Sequence, residues 1–447
     1  MDPYYLSGHL TPVPDEIDAT ALSVTGTLPV ELSGRYLRNG PNPRPGEDPG
    51  HLFMGHGMVH GIAIRDGRAE WYRNRWVRTG QLDGRAAMGP DGFDRTVGSA
   101  NTHVMAHGGR IYALVETAFP YELTAELDTV GPCDFGGRLT TGMTAHPKIH
   151  PATGDMHFFG YGFMPPFLTY HRVSAAGELE VSAEIDVHGP TMNHDFAITE
   201  SHALFLDQPI TFQLERLATG MPFAWDDAYG ARIGVMALDR PGETTWFDVD
   251  PGFVFHVGNA HTDERGRIVL TAPRHTPEAA IAMWACVGDR AGTGRPGTDA
   301  LSQMHRWTLD PATGSVTEEA LHDRGVEFPT LDDTLTGRRN RYLYTRADAG
   351  DDVAVVKYDL VAGTTTEHAF DPATTFDEAE FVPSTAPGRA EDDGWLMAIV
   401  NTRDGRRSHL VVLDARDVAA EPVAIVHLPR RVPGGFHGSW IPDDALA

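Results

Sequence analysis

Tight-turn sequences recur along this chain, and the stretches between them are long enough only for short strands. His150–Asp155 reads HPATGD, Asp310–Ser315 DPATGS, Asp359–Thr364 DLVAGT and Arg65–Arg68 RDGR. Each sets a glycine after polar turn formers, the composition of a reversal between antiparallel strands. Around them lie GRIYALVE (Gly109–Glu116), DMHFFGYG (Asp155–Gly162), HALFLD (His202–Asp207), GRIVLTA (Gly266–Ala272), RYLYTRA (Arg341–Ala347), WLMAIVNT (Trp395–Thr402) and SHLVVLDA (Ser408–Ala415). Runs of β-branched and aromatic residues bounded by turn signals read as strands. A few helical pieces are expected, for instance around PITFQLERLATG, Pro209–Gly220, decorating one face. The chain is therefore expected to be all-β, and its loose repetition suits propeller blades better than a solenoid. No Ser/Gly tract or proline-rich spacer divides residues 1–447, so one domain is expected.

Charge and cysteine narrow the function classes. With 36 basic against 62 acidic residues the formal net charge is −26, which disfavours nucleic acid and anionic membrane surfaces as electrostatic partners. A neutral apolar substrate is untouched by that argument. Cys133 and Cys286 are too few for a disulfide framework, and a reduced cytoplasmic compartment is the expectation. The polar, proline-broken opening MDPYYLSGHLTPVPDE does not read as a signal segment. The longest apolar runs, such as AAIAMWACV (Ala279–Val287), fall short of a bilayer span.

Among 22 histidines, four share a setting of small, proline or aromatic neighbours: His146 in TAHPKIHP, His194 in TMNHDFAIT, His256 in FVFHVGNAH and His437 in GGFHGSW. Their separations are 48, 62 and 181 residues. If a blade takes roughly 50–60 residues, each histidine falls at an equivalent place on a different blade, and the chain makes about seven blades. Equivalent places on blades converge on the propeller axis, where four imidazoles would form a metal site. Neutral nitrogen donors without a ligating carboxylate suit iron, copper, nickel or zinc. Ligating histidines usually pass their other N–H to a carboxylate or carbonyl. Glu116, Glu327 and Glu380 stand in apolar strand contexts where an unpaired carboxylate is costly, and they are expected to fill that role. The other histidine group, His51, His56, His60, His103 and His107, lacks an HExxH glutamate and a helical frame, so it is not expected to bind zinc.

These residues resemble the carotenoid cleavage oxygenase family, and the resemblance runs through nearly the whole chain. It is carried by GRYLRNGPNP (Gly34–Pro43), HLFMGHGMVHGI (His51–Ile62), AHPK (Ala145–Lys148), NHDFAIT (Asn193–Thr199), FHVGNAH (Phe255–His261), EFPTLD (Glu327–Asp332), EFVP (Glu380–Pro383) and GFHGSW (Gly435–Trp440). The resemblance implies a seven-bladed β-propeller, with a few helices and long loops covering one face over a substrate tunnel. It implies one Fe2+ per chain held by His146, His194, His256 and His437, with Glu116, Glu327 and Glu380 behind them. The implied reaction is cleavage of a carbon–carbon double bond of a carotenoid or apocarotenoid by O2, giving two carbonyl products. Phe53, Phe119, Tyr161, Phe163, Phe167, Trp284 and Phe436 are candidates for the tunnel lining. An exposed apolar patch near the tunnel mouth, with GMPFAW (Gly220–Trp225) as candidate, would make a peripheral membrane contact for substrate uptake.

Two other readings stay open at the level of sequence. Propellers also serve as non-catalytic scaffolds, although a chain that had lost its chemistry would be expected to lose part of this constellation. Stilbene-cleaving members of the family typically carry a lysine immediately before the first glutamate, where it holds a phenolic oxygen. Val115 occupies that position here, which favours a hydrocarbon over a stilbene or an isoeugenol-like phenylpropenoid.

Overall fold

All four turn sequences join neighbouring antiparallel strands. RDGR links Gly57–Arg65 to Arg68–Trp76, HPATGD links Lys148–Ile149 to Met156–Tyr161, and DPATGS and DLVAGT bring Asp310 opposite Ser315 and Asp359 opposite Thr364. The structure is a computed structural model that describes residues 3–90, 92–218, 221–287, 292 and 297–446. Within them lie seven sheets of four or more strands, the blades of a seven-bladed β-propeller.

Each blade has one edge strand at the axis. In order around the ring these are Gly438–Pro442, His103–His107, Lys148–Ile149, Ala197–Ile198, Asn259–Thr262, Glu327–Thr330 and Glu380–Pro383. Two blades are assembled from both ends of the chain. Gly438–Pro442 pairs with Gly34–Pro41, and Val24–Gly26 pairs with Ala424–His427. The ring is thus closed twice by antiparallel ladders, which satisfies the hydrogen-bonding groups that open sheet edges would expose. Apolar side chains fill the spaces between blade faces. One cluster joins Tyr36, Ile62 and Tyr72 of the first blade to Met397, Val412 and Val426 of the last.

The segment expected to be helical, Pro209–Gly220, instead forms a strand at Ile210–Phe212 and a short 3-10 turn at Leu214–Ala218, while Thr219 and Gly220 lie outside the described residues. Among the described residues the α-helix is Pro277–Val287, which contains the apolar run Ala279–Val287. Beyond Glu278 in its first turn its alanine-rich sequence is apolar on every side, so it carries no amphipathic period to read. No helix among the described residues is long and apolar enough to cross a membrane.

Several buried histidines serve the blades and stay away from the axis. His157 Nδ1 lies 2.6 Å from the Tyr170 hydroxyl, and His171 bridges Ser182 Oγ at 2.8 Å and Thr141 Oγ1 at 2.9 Å. Burial pushes both imidazoles down to about 4 from the ordinary 6.5. An unfolded chain binds those protons earlier, so stability is full above about pH 6.5 and falls as pH drops from there towards 4. The melting temperature is expected to fall between pH 7 and pH 5, and His171→Gln is expected to flatten that slope. An unchanged slope in the variant would show that His171 does not carry the effect.

Candidate metal centre

The four histidines fall just before the edge strands of four blades, three of them consecutive in the ring and the fourth, that of His437, set apart from them by the blade of His103–His107. His146 precedes Lys148–Ile149 by two residues, His194 and His256 precede Ala197–Ile198 and Asn259–Thr262 by three, and His437 precedes Gly438–Pro442 by one. Their Nε2 atoms meet: His146 to His194 at 2.9 Å, His194 to His256 at 3.2 Å, and His256 to His437 at 3.2 Å. All four rings are buried, and the candidate ligand atoms lie within 4.8 Å of one another. Among the described residues this is the one such group of three or more potential ligands.

The remaining nitrogens explain why a cation fits. His194 Nδ1 pairs with Glu116 Oε1, His256 Nδ1 with Glu327 Oε2 at 2.6 Å, and His437 Nδ1 with Glu378 Oε1 at 3.1 Å. An imidazole whose Nδ1–H donates to a carboxylate presents the Nε2 lone pair on its other side. Burial, then the neighbouring imidazoles, holds His146 and His256 well below the ordinary histidine range, so protons do not screen these lone pairs. Lone pairs facing one another at hydrogen-bond distance repel unless a positive centre lies between them. With metal–nitrogen bonds of about 2.1 Å, adjacent donors of an octahedral ion stand about 3.0 Å apart. The observed spacings match that edge.

The backbone around the ligands is cross-tied. Asp195, next to His194, accepts from Lys148 Nζ at 2.8 Å, from its neighbour Phe196 N at 2.7 Å and from Val257 N at 2.7 Å, so three ligand-bearing segments share one carboxylate. Asp195 is thereby a tie between blades rather than a ligand. Thr144 Oγ1 donates to the His194 carbonyl at 3.0 Å and accepts from His146 N at 3.2 Å. The last ligand is held by the first blade: Phe436 N donates to the Asn39 carbonyl at 3.1 Å, and Asn39 N donates to the His437 carbonyl at 2.9 Å. A Cβ on Gly435 would stand 2.5 Å from Arg38 Nη1 and 2.6 Å from the Asn39 carbonyl, so this approach requires glycine.

One expected residue is displaced by its neighbour. Glu378, and not Glu380, reaches His437; its second oxygen accepts from Gly438 N at 3.0 Å. Burial pushes the Glu378 carboxyl up, and the His437 ring, its hydrogen bond and His103 more than offset this, leaving it below the usual range. Glu380 bonds the Trp440 backbone N–H, and burial followed by the Asp333 and Glu378 charges pushes it well above that range. The Glu378 charge acts on Glu380, so the two carboxylates lie close together. The legible signal was position: like the ligands, Glu378 precedes its edge strand, by two residues.

His103 also lies at the centre, stacked 6.2 Å from His146 and edge-on 5.6 Å from His437. Its Nδ1–H donates to the Ala145 carbonyl at 2.8 Å, and Nε2 accepts from Ser439 Oγ at 3.2 Å. It supports the ligands and is not one of them. His51, His56, His60 and His107 are scattered: His60 pairs with Tyr72 at 2.9 Å, His56 with Glu47 at 3.0 Å, and His107 with the Gly154 carbonyl at 3.0 Å.

Apolar rings cover one side of the cluster. Phe255 lies 4.2 Å from His194. Phe328 takes a left-handed backbone, φ +54°, where its ladder slips, and its ring rests 4.8 Å from His256 and 5.3 Å from His437. That conformation is rare for an aromatic residue. It lets Glu327 and Phe328, adjacent in a strand that would alternate, both face the centre. Of the seven expected lining residues, Phe53 and Trp284 share an apolar cluster with Phe253 and Phe255, and Phe436 joins it 5.5 Å from Phe53. Phe119 and Phe167 belong to other cores, Phe163 is exposed, and Tyr161 bonds Glu116.

Glu378→Gln is expected to weaken uptake of Co2+ or Fe2+ about ten-fold or more, and Glu380→Gln to leave it unchanged. Metal titration of the two folded variants checks the assignment, which fails if their effects are reversed.

The family model described as retinal pigment epithelial membrane protein matches residues 10–442. A carotenoid cleavage oxygenase of Mycobacterium tuberculosis is 39% identical, the match covering 98% of this chain and 97% of the relative. A carotenoid 9,10(9',10')-cleavage dioxygenase 1 of Arabidopsis thaliana is 32% identical over 99% of this chain and 90% of its own. Among solved structures, a Synechocystis apocarotenoid oxygenase variant aligns with a TM-score of 0.86 and 30% identity, covering 98% of each chain. The Pseudomonas brassicacearum lignostilbene dioxygenase aligns with a TM-score of 0.86 and 29% identity, covering 99% of each chain. Propeller, buried histidine cluster and relatives agree: the chain belongs to the carotenoid cleavage oxygenase family.

Proposed function

We propose that this protein is a non-haem iron(II) dioxygenase that cleaves one carbon–carbon double bond of a carotenoid or apocarotenoid. His146, His194, His256 and His437 would hold the metal, one ion per chain, with Glu116, Glu327 and Glu378 on their outer nitrogens. The observation that carries this reading is the convergence of four buried imidazoles, with no carboxylate among them, beside an aromatic wall. Bound ferrous iron would supply the capacity to bind and activate O2. Both oxygen atoms end on the two new carbonyl carbons, so the overall reaction balances without an external reductant. No side chain need act as general acid or base. The chain's own contribution is to hold the ion without spending negative charge on it, to seat an apolar polyene against Phe255, Phe328 and the Phe53–Trp284 cluster, and to exclude water.

Val115, directly before Glu116, supports the hydrocarbon reading over a phenolic one, because it offers no ammonium to hold a phenolate. The exposed side chains of Phe163, Met164, Leu214 and Ile281 support a peripheral apolar contact through which such a substrate would arrive. Phe163 stacks on Phe212 at 5.1 Å, linking the loop after Tyr161 to the segment containing Leu214. Joint construction of blades from both termini supports reading residues 1–447 as one catalytic unit.

Anaerobic reconstitution is expected to load iron at about one per chain, as four nitrogen donors at one site allow. The loaded enzyme should then cleave β-carotene or apocarotenals to aldehydes identified by mass. No iron uptake would remove the dioxygenase reading. Vanillin or hydroxybenzaldehydes from isoeugenol or resveratrol, without any apocarotenal, would replace the carotenoid reading with a phenylpropenoid or stilbene one. His437→Ala is expected to abolish both iron binding and cleavage while the strand content measured by circular dichroism persists.

A further inference from the structure

The three carboxylates behind the ligands are braced differently. Glu327 Oε2, which faces His256, also accepts from the backbone N–H of Phe328 at 2.7 Å. Glu378 accepts from the backbone N–H of Gly438 at 3.0 Å. Glu116 presents Oε1 to His194, and its Oε2 accepts from the hydroxyl of Tyr161. Among the described contacts Tyr161 is thus the one brace of the three that is a side chain, and the one that a substitution can remove without moving the backbone.

The fold brings Tyr161 there by close packing. Tyr161 ends the strand Met156–Tyr161, opposite Leu168. A Cβ on Gly160 would lie 2.3 Å from the Gly142 carbonyl, and a Cβ on Gly142 would lie 2.6 Å from the Glu116 carbonyl. Those two glycines let the strand, the segment at Thr141–Gly142 and the turn holding Glu116 approach one another closely. Burial, then the Glu116 charge, keeps the phenol protonated far beyond neutral pH, so the hydroxyl donates and the carboxylate accepts.

We infer that Tyr161 is a positioning residue for the metal centre: its hydroxyl fixes the Glu116 carboxylate so that Oε1 stays on His194 Nδ1 and the Nε2 lone pair stays aimed at the axis. Outer partners of ligating histidines orient the ring and raise its basicity, and losing one typically costs 10–100-fold in affinity or activity. A carboxylate buried on a single partner has freedom to rotate that a doubly held one lacks. The role deepens the metal-site reading and rests on it.

The test is Tyr161→Phe, which removes one oxygen atom and keeps the ring. Co2+ serves as an oxygen-stable probe, titrated into wild type, Tyr161→Phe, Glu116→Gln and the double variant, with the melting temperature of each apo chain measured alongside. Tyr161→Phe is expected to bind Co2+ about ten-fold more weakly, with an unchanged apo melting temperature. In the Glu116→Gln background the same substitution is expected to add little, because the residue acts through that carboxylate. If wild type binds Co2+ and Tyr161→Phe binds it equally well, the positioning role fails and the metal site stands. A full additive effect in the double variant, or loss of the fold in Tyr161→Phe, would also overturn the role. If wild type takes up no Co2+, the metal site itself fails, and this role with it.

Discussion

Four imidazole lone pairs directed at one point are an arrangement that a protein holds only at a cost. Adjacent Nε2 atoms at 2.9–3.2 Å repel, and burial denies them water. A dication reverses both terms, converting repulsion into four bonds. The rest of the centre follows from that reversal. Without a cation, burial pushes His256 down and Glu327 up, so that both sides of the pair tend to neutrality. With one bound, the ionised carboxylate is the favoured partner. Three glutamates one residue removed from the metal then supply compensating charge that the neutral ligands do not. The propeller suits this because its symmetry brings one edge strand per blade to the axis. Each of the seven blades delivers a residue there, at the start of that strand or just before it: the four candidate ligands, His103, Glu327 and Glu378.

Closure of the ring and completion of the site depend on the same contacts. Arg38, 2% exposed, lies in the first blade and bonds both Asp377 and the Pro433 carbonyl. Asp377 Oδ2 also accepts from Gly435 N at 2.9 Å. These partners flank the two residues that finish the centre: Asp377 precedes Glu378, and Pro433 and Gly435 lead into His437. A buried ion pair of this kind is weak evidence for stability, because desolvation offsets much of its attraction. Its geometric effect is clearer, since the guanidinium can satisfy both acceptors only when the first and last blades are in register. The last ligand therefore reaches the axis only when the ring has closed. Arg73 reaches Glu126 of the second blade in a comparable way, whereas Arg35 with Asp443, and Arg73 and Arg75 with Asp18, pair within the first blade.

Turns and strands were legible in the sequence because their determinants are local. HPATGD or DLVAGT specifies a reversal whatever surrounds it, and the flanking alternation then sets the ladder. The four histidines were legible through spacing, since equivalent positions on a repeated module must converge. Glu378 was not, because Glu380 two residues on sits in a similar sequence context; only the position before the edge strand separates them. The helix Pro277–Val287 was hidden by having no polar face. Tyr161 reads as an aromatic for an apolar wall in FFGYGF, and its bond to Glu116 depends on a close crossing of segments that Gly142 and Gly160 permit. Contacts between blades of this type have no local signature.

The aromatic wall and the candidate metal site share the same low dielectric. Rings of Phe255 and Phe328 lie within 5.3 Å of three ligand imidazoles, and they keep water from solvating an imidazolium. Protons and the metal compete for the same Nε2 lone pairs, so an environment that penalises protonation favours the metal over the proton. Carboxylates occupy the outer nitrogens, where they strengthen the donors without closing the apolar side. An oxygenase for hydrocarbons needs its cation open to a greasy substrate, and a ligand set with acids in it would place hydrophilic charge on that open face. Neutral imidazoles inside, carboxylates behind them and phenyl rings in front meet both requirements at once. The division explains why the charged residues nearest the centre reach it through a histidine, as Glu116, Glu327 and Glu378 do, or tie its backbone, as Asp195 does.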